Sequence, residues 1–504
     1  MSTLKTGVWL LLCVASGVVA ETDTSSVPEP RAARDVLFLS VQPDIPFLRW
    51  QCFVYLRNFI DVGVRPAQVV MLFALERGAP ESTAVAGLRQ AGARVAAYAD
   101  DRPAGAAFAY TGSIRLFLLA KFVAAHADEL EAKRVFYHDA DIVFPRGLPR
   151  LLALAPAAAA AARGGPRPGP STILADATHY TGARHIQRSH DAYEAHGVDV
   201  WALLCAAARW DKAACIAGVR ARDGVGTGIF SQGLLANLWE ADFFTTAWEV
   251  GDAMYRAIRD VEDRLKLGSW MGGGGGGVDV QLSFKADMLA PLWLLWKAHD
   301  AGEANVTSAI SKDFAFAWAT SPRSALDDVS ILHMAGASKR CGDTALGASP
   351  ESCGFFKNEW VLRSPINALC EDPTEFDYVT DDAASFEYVA IFRDLVERGL
   401  PGGVDACDPR LYAGEPRLVS KQTRGDGAVV AKYLSSVVLE PDEVLCDRGA
   451  PGEPHSCGIA RTTLEVSSTD VMLDGTTTNT RSEKRIVTKT PGDCKDVCPH
   501  FAEL

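Results

Sequence analysis

The sequence predicts an α/β fold, a mostly parallel sheet flanked by helices, with a small cysteine-containing C-terminal appendage. Two observations predict it. Between residues 35 and 144, short apolar runs of strand length alternate with segments whose apolar residues recur at helical spacing. The chain has 504 residues, 48% of them hydrophobic and 22% charged, so it can bury a core of ordinary size. This composition excludes a wholly disordered, collagen-like or coiled-coil protein.

Strands and helices are predicted to follow one another along the first part of the chain. Apolar runs predict strands at 36–41, 69–74, 94–98 and 134–138. Helical spacing predicts helices at 48–59, at 82–90 and after Ser113, whose hydroxyl can cap the third helix. Strands joined by helices pair in parallel, and ligands of such sheets bind beyond the carboxyl ends of the strands.

The N-terminus is typical of a secretory signal. Lys5 supplies a positive charge, residues 7–19 are apolar, and Val18-Val19-Ala20 is a small-residue cleavage site. We expect a signal peptide at 1–20 and a polar linker at 21–33. The alternative is a retained signal anchor, which would attach the protein to a membrane. Either places the protein in the secretory pathway lumen, in the Golgi or endoplasmic reticulum, or outside the cell.

Cysteine content and charge agree with that compartment. Of 12 cysteines, 11 remain without Cys13, so we expect disulfides and at least one cysteine that is free or paired between chains. The sequon Asn305-Val306-Thr307 predicts a glycoprotein. The net charge of −13, which loss of Lys5 makes −14, argues against a nucleic-acid partner.

Composition also divides the chain. We predict an α/β domain at 34–395 and a disulfide-containing C-terminal region at 396–504, in which we find no chemistry. An Ala-, Gly- and Pro-rich tract at 153–170 and six glycines at 272–277 are interpreted as surface insertions. Val278-Asp279 follows the glycines where a phosphate-binding loop requires Lys-Ser or Lys-Thr.

The strongest chemical signal stands at the end of the fourth predicted strand. Asp139 and Asp141 follow apolar residues, and apolar residues resume after them. Two carboxylates this close repel each other unless a cation lies between them or one is protonated. Mg²⁺ and Mn²⁺ are held by such carboxylates together with phosphate oxygens of a substrate. His333, after a predicted strand at 329–332, is either a third metal ligand or a hydrogen-bonded core histidine.

Several segments, in this order, resemble a known family. They are Trp50-Gln51, Ser113-Ile114-Arg115, Leu119-Ala120-Lys121, Tyr137-His138-Asp139-Ala140-Asp141, Lys285-Ala286-Asp287-Met288, Leu292-Trp293, Leu295-Trp296-Lys297 and Ile331-Leu332-His333-Met334-Ala335-Gly336. Over residues 35–389 the chain resembles GT-A-fold glycosyltransferases of the secretory pathway. It is most similar to the peptidyl-serine galactosyltransferase and hydroxyproline O-arabinosyltransferase group of plants and algae.

The resemblance implies a GT-A-like, Rossmann-like fold and a metal-dependent hexosyl- or pentosyltransferase. Its donor would be a nucleotide-sugar, a UDP-sugar, and its acceptor a hydroxyl on protein or glycan. The cofactor would be Mn²⁺ or Mg²⁺ held by Asp139, Asp141 and His333, with Asp139 also at the donor. That cation would neutralise charge on the departing pyrophosphate.

Further residues are assigned more specific roles. Arg115 or Lys121 would reach the pyrophosphate, or both are solvated helix charges. Trp50 and Gln51 would contact the nucleotide. Asp287 would be the acceptor-side carboxylate, acting as base, nucleophile or sugar-hydroxyl ligand. Alternatively, Asp287 caps the helix that follows it.

Two other classes of function remain open at this stage. A lumenal glycan- or nucleotide-binding pseudoenzyme would keep the fold without turnover. A secreted divalent-metal phosphoesterase or nucleotidyltransferase would need a second cluster of histidines and aspartates. The ten histidines of the chain are scattered and form no such cluster in the sequence.

Overall fold

The fold is described from a computed structural model of the full chain. The described residues are 31–75, 79–102, 111–131, 133–154, 171–175, 182–222, 232–236, 241–265, 282–304, 306–334, 341, 352–360, 364–408, 411, 417–423, 429–435, 443–447, 456–471 and 477–490. The predicted signal peptide, most of the linker, residues 155–170 of the Ala-rich tract, the six glycines at 272–277 and Asn305 lie outside them.

The described helices and strands are numbered here in chain order. The strands are β1 Val36–Pro43, β2 Val69–Leu75, β3 Arg94–Ala99, β4 Arg134–His138, β5 Ile142–Val143, β6 Ser171–Ala175, β7 Gln232–Ala236, β8 Val306–Ile310, β9 Phe316–Trp318, β10 Ile331–His333, β11 Arg417–Thr423, β12 Val429–Ser435, β13 Glu443–Asp447, β14 Ser456–Val471 and β15 Thr477–Thr490. The helices are α1 Pro46–Asp61, α2 Thr83–Gln90, α3 Ile114–Glu131, α4 Arg150–Ala153, α5 Ala183–Glu194, α6 Val200–Ala207, α7 Lys212–Ala221, α8 Ala241–Leu265, α9 Ala286–Asp300, α10 Pro365–Glu371 and α11 Phe386–Arg398.

The central sheet has seven strands in the order β3-β2-β1-β4-β7-β6-β8. The first four pair in parallel, as their helical connections require. β7 runs antiparallel to both its neighbours, and β8 pairs in parallel with β6. The prediction of a mostly parallel sheet with flanking helices is therefore confirmed, as are the four strands predicted from residues 36 to 138.

Each face of the sheet carries its own hydrophobic core. Along β1, Phe38 contributes to one core and Leu39 to the other, because successive side chains of a strand point to opposite faces. Helices α1, α2 and α11 cover the Phe38 face, and α3, α8 and α9 cover the Leu39 face. Trp293 and Trp296 of α9 are buried in the second core.

A small second sheet lies beyond the carboxyl end of β4. It has the order β5-β10-β9. β5 follows β4 after only three residues, and β10 pairs antiparallel with it so that His333 lies opposite Ile142. The backbone N–H of Met334 also donates to the carbonyl of Asp141 at 2.9 Å. This pairing connects two parts of the chain that are far apart in sequence.

Disulfides stabilise the described chain at three places: Cys205–Cys215, Cys341–Cys353 and Cys370–Cys407. The last joins the end of α10 to the predicted C-terminal region. Among the described cysteines whose side chains are placed, Cys52 is free and buried in α1. The prediction of disulfides, including one that uses the C-terminal region, is confirmed.

The C-terminal residues form a separate antiparallel sheet. Its order is β11-β12-β14-β13, and β15 pairs with β14. The stretch at 485–490, which contains Val487 and two threonines, lies in β15. In the parts of the chain that are described, no helix combines the length and apolarity needed to cross a membrane.

Candidate functional site

The two predicted metal-binding aspartates lie at the carboxyl edge of the central sheet. β4 is buried along its whole length and ends at His138, so Asp139 begins the turn out of the sheet. Asp141 completes this turn and is buried, with 5% of its surface exposed. Position in the sheet thus brings both carboxylates to the edge where ligands of parallel sheets bind.

Main-chain pairing brings His333 to the same place. Its Nε2 lies 3.2 Å from Oδ1 of Asp141 and 3.9 Å from Oδ2 of Asp139. One ligand atom from each of these three residues lies within 4.8 Å of the other two. The ring is held between β9 side chains, stacked on Trp318 at 5.4 Å and edge-on to Phe316 at 5.5 Å.

This donor set fits a divalent cation. Two carboxylates and one imidazole suit Mn²⁺, and the carboxylates also suit Mg²⁺. His333 faces both aspartates from a strand end, which is the position that the metal-ligand alternative requires. Asp139, Asp141 and His333 are called the acidic cluster below.

The two aspartates of the acidic cluster differ electrostatically. Burial raises the pKa of the Asp139 carboxyl to about 6, although Arg115 opposes this shift. Burial also acts to raise the pKa of Asp141, but Lys357 and His333 outweigh it and hold this pKa below its usual value. A neighbouring ammonium therefore keeps the more deeply buried carboxylate ionised.

Arg115 connects the acidic cluster to Asp287. Its Nη2 lies 3.0 Å from Oδ1 of Asp139, and its Nη1 lies 3.4 Å from Oδ2 of Asp287. About a quarter of the Arg115 side chain is exposed, whereas Asp287 is buried. The predicted donor-side and acceptor-side residues are thus within reach of one guanidinium.

Asp287 lies in the first turn of α9, where a carboxylate interacts favourably with the helix dipole. The N-cap position is Lys285, and its side chain makes no capping bond. Instead, the Lys285 ammonium contacts Nε2 of His185 in a buried pair. The turn before α9 is also fixed by the Glu262 carboxylate, which accepts from the backbone N–H groups of Leu282 at 2.9 Å and Ser283 at 3.2 Å.

Three other predicted donor residues lie elsewhere. Trp50 is fully buried and donates to the Trp360 carbonyl at 3.1 Å, and Gln51 donates to the Phe47 carbonyl at 2.7 Å. Neither side chain presents a surface to a ligand, so a nucleotide contact there has no structural support. Lys121 contacts the Asp101 carboxylate and is partly exposed, which fits the alternative of a solvated helix charge.

Sequence reasoning missed two residues that contact the site. Lys357 contacts Oδ2 of Asp141 from a short 3₁₀ helix. The Tyr388 hydroxyl of α11 lies 2.8 Å from the Asp141 carbonyl and 2.9 Å from the Leu332 carbonyl, joining the turn after β4 to β10. Neither residue stands in a segment with a recognisable local pattern, so only the fold reveals them.

Among known proteins, the chain is similar to solved structures and not to protein-family models or curated sequences. The chain matches no protein-family model and no curated relative. A galactosyltransferase, LgtC, in complex with donor and acceptor sugar analogs is 14% identical, over 62% of this chain and 91% of that one, with a TM-score of 0.30.

Two further solved structures are similar at the same level. The bifunctional glycosyltransferase WbbM is 12% identical, over 71% of this chain and 52% of that one, with a TM-score of 0.32. Mouse xyloside xylosyltransferase 1 is also 12% identical, over 59% of this chain and 97% of that one, with a TM-score of 0.29. These similarities do not establish an activity for this chain.

Proposed function

We propose that the protein is a metal-dependent glycosyltransferase that moves a sugar from a UDP-sugar to a hydroxyl group on protein or glycan. The observation that carries the proposal is the acidic cluster, formed at the carboxyl edge of the sheet by residues from two distant segments. Arg115 extends it to a buried carboxylate, Asp287. A cation site and a further positive charge suit the diphosphate of a nucleotide-sugar, and a carboxylate beside them suits the acceptor hydroxyl.

The chemistry sets what each residue would do. Glycosyl transfer breaks the bond between the sugar and a nucleoside diphosphate, and negative charge develops on the departing phosphate. A bound Mn²⁺ or Mg²⁺ would supply Lewis acidity to that phosphate, with Asp139, Asp141 and His333 holding it. Arg115 would add a hydrogen-bonding positive charge on the side of the site that faces Asp287.

Asp287 would act on the acceptor side. Its carboxylate is buried and pairs with the Arg115 guanidinium at 3.4 Å. In this position it would accept a proton from the acceptor hydroxyl or hydrogen-bond a sugar hydroxyl. This role accounts for the buried Asp287 carboxylate, because the N-cap position of α9 is Lys285 and not Asp287.

The finer assignments rest on the sequence resemblance. It supports a peptidyl-serine galactosyltransferase or hydroxyproline O-arabinosyltransferase type of activity, with a protein acceptor. The three disulfides fit an oxidising secretory lumen, where the signal segment would direct the chain. We propose residues 34–395 as the catalytic domain and 396–504 as a C-terminal region outside it.

A donor screen tests the activity. The purified protein is incubated with Mn²⁺ and a panel of nucleotide-sugars, and nucleotide release is measured. Candidate serine- and hydroxyproline-containing peptides are then examined for the mass of an added hexose or pentose. We expect release with one UDP-sugar. Binding of Mn²⁺ and UDP without release from any donor would favour the pseudoenzyme instead.

Substitutions test the metal assignment separately. Asp139→Asn and Asp141→Asn should each weaken Mn²⁺-dependent UDP binding by at least about 100-fold, because ligand loss removes a direct metal bond. Asp327→Asn is the matched control, since Asp327 is exposed and 3.7 Å from Arg146. Unchanged UDP affinity in both ligand variants would contradict the assignment.

A further inference from the structure

Lys357 is placed unusually for a lysine. Its side chain is 9% exposed, and its ammonium contacts Oδ2 of Asp141, the carboxylate whose Oδ1 faces His333. An ammonium has three N–H donors, and among the described residues only Asp141 accepts from it. A buried lysine with donors to spare is costly to immobilise, which points to a ligand that completes its bonding.

The position of this charge has opposite consequences for two ligands. A fixed ammonium beside Asp141 repels a divalent cation approaching the acidic cluster, because it has already neutralised one of the two carboxylates. The same ammonium attracts the negative oxygens of a diphosphate that shares the cation. The repulsion and the attraction act over a few ångströms in a buried site, where the low effective dielectric constant makes both strong.

We infer that Lys357 is an internal counter-ion that couples cation binding to nucleotide diphosphate binding. This inference rests on the proposed function. Without nucleotide, Lys357 keeps the acidic cluster neutralised and lowers its affinity for a free cation. With a nucleoside diphosphate present, the Lys357 charge is balanced by phosphate, and the cation and the diphosphate each increase the affinity of the other, as reciprocal coupling requires.

The test measures Mn²⁺ binding directly by electron paramagnetic resonance, without and with saturating UDP. Lys357→Met removes the charge and keeps much of the side-chain volume, and Lys357→Gln is a second neutral variant. Lys357→Arg keeps the charge. Lys212→Met is the matched control, because Lys212 pairs with the Asp199 carboxylate at an exposed position.

The expected result is tighter Mn²⁺ binding without UDP, together with a smaller gain in Mn²⁺ affinity when UDP is added. Without UDP, the neutral variants should bind Mn²⁺ about tenfold more tightly than the wild type, because a nearby positive charge is gone. The increase in Mn²⁺ affinity that UDP causes should shrink by about tenfold or more. Lys357→Arg and Lys212→Met should remain within about threefold of the wild type in both conditions.

Three other outcomes would overturn the inference. If the neutral variants bind Mn²⁺ equally or more weakly in both conditions, Lys357 only orients Asp141, while the proposed function stands. If the wild type binds no Mn²⁺ with or without UDP, the proposed function fails and the inference fails with it. Failure of both neutral variants to fold, with Lys357→Arg folding normally, would show a structural counter-ion and also overturn the coupling.

Discussion

Asp139, Asp141 and His333 lie at strand ends, whereas Arg115 and Asp287 lie in the first turns of two helices. The strand-borne group is held by backbone pairing between β5 and β10. The helix-borne group is held by side chains, since Arg115 joins Asp287 to the acidic cluster by ion pairs of 3.0 and 3.4 Å. Backbone pairing fixes position more firmly than an ion pair, which is worth little when part of it is exposed.

This difference separates the proposed roles. The strand-borne group is suited to a ligand that must always be held in one geometry, such as a cation. The helix-borne group can adjust to substrates of different shape, because side chains move without breaking the sheet. We therefore expect substitutions in the two groups to affect binding and turnover differently.

The largest expected effect is on turnover. Asp287→Asn removes the negative charge and keeps the shape, so it should lower kcat at least about 100-fold, as loss of a general base does. UDP affinity in the presence of Mn²⁺ should stay within about threefold of the wild type, because the acidic cluster is intact. Steady-state kinetics with the active donor and titration calorimetry with UDP measure the two quantities.

Asp300→Asn is the control for this substitution. Asp300 lies at the other end of α9 and pairs with Arg222 near the surface. Its kcat should match the wild type. An Asp287→Asn enzyme with full kcat would place the acceptor-side carboxylate elsewhere and leave Asp287 as an anchor for Arg115.

An intermediate effect is expected when acid protonates His185, which contacts Lys285 at the start of α9. The quantity affected is the free energy of unfolding. The pKa of His185 is lowered to about 3 by burial, with Lys285 and Arg188 adding to the shift. The folded protein therefore keeps this ring neutral down to about pH 3, whereas the unfolded chain takes up a proton below pH 6.5. The contribution of His185 to the free energy of unfolding is therefore fully present above pH 6.5 and is lost as the pH falls towards 3.

At pH 5 the loss should be about 2 kcal/mol, from 1.5 pH units at about 1.4 kcal/mol each. Urea unfolding at pH 7 and pH 5 measures it. His185→Gln should reduce the difference between the two pH values by about this amount, and His126→Gln, at an exposed position, should not. Equal pH dependence in wild type and His185→Gln would show that His185 is not the source of the stability lost in acid.

The sequence predicted what depends on local pattern. Strand periodicity and the spacing of Asp139 and Asp141 are encoded within a few residues, and the carboxyl edge of the sheet follows from them. Trp50 shows the limit. Helix α1 is buried on most of its surface, so its pattern does not reveal which side faces a ligand.

Lys357 and Tyr388 show a second limit. Each reaches Asp141 from more than 200 residues away, through contacts created by the packing of α11 and of a short 3₁₀ helix. A lysine and a tyrosine are ordinary surface and core residues in sequence. Their relation to the site exists only once the chain has folded.

The smallest effect is expected from the loss of one buried hydroxyl, and it should distinguish a residue that supports the strand-borne group from one that does not. Tyr388→Phe and Tyr193→Phe each remove one buried hydroxyl, the first from the carbonyls of Asp141 and Leu332 and the second from the Glu262 carboxylate. Each should lower the free energy of unfolding by roughly 1–2 kcal/mol. Only Tyr388→Phe should also weaken Mn²⁺ binding in the presence of UDP, by about fivefold, because its hydroxyl ties the turn that carries Asp141 to the strand that carries His333. Equal Mn²⁺ affinity in the two variants would mean that pairing of β5 with β10 fixes the acidic cluster without help from α11.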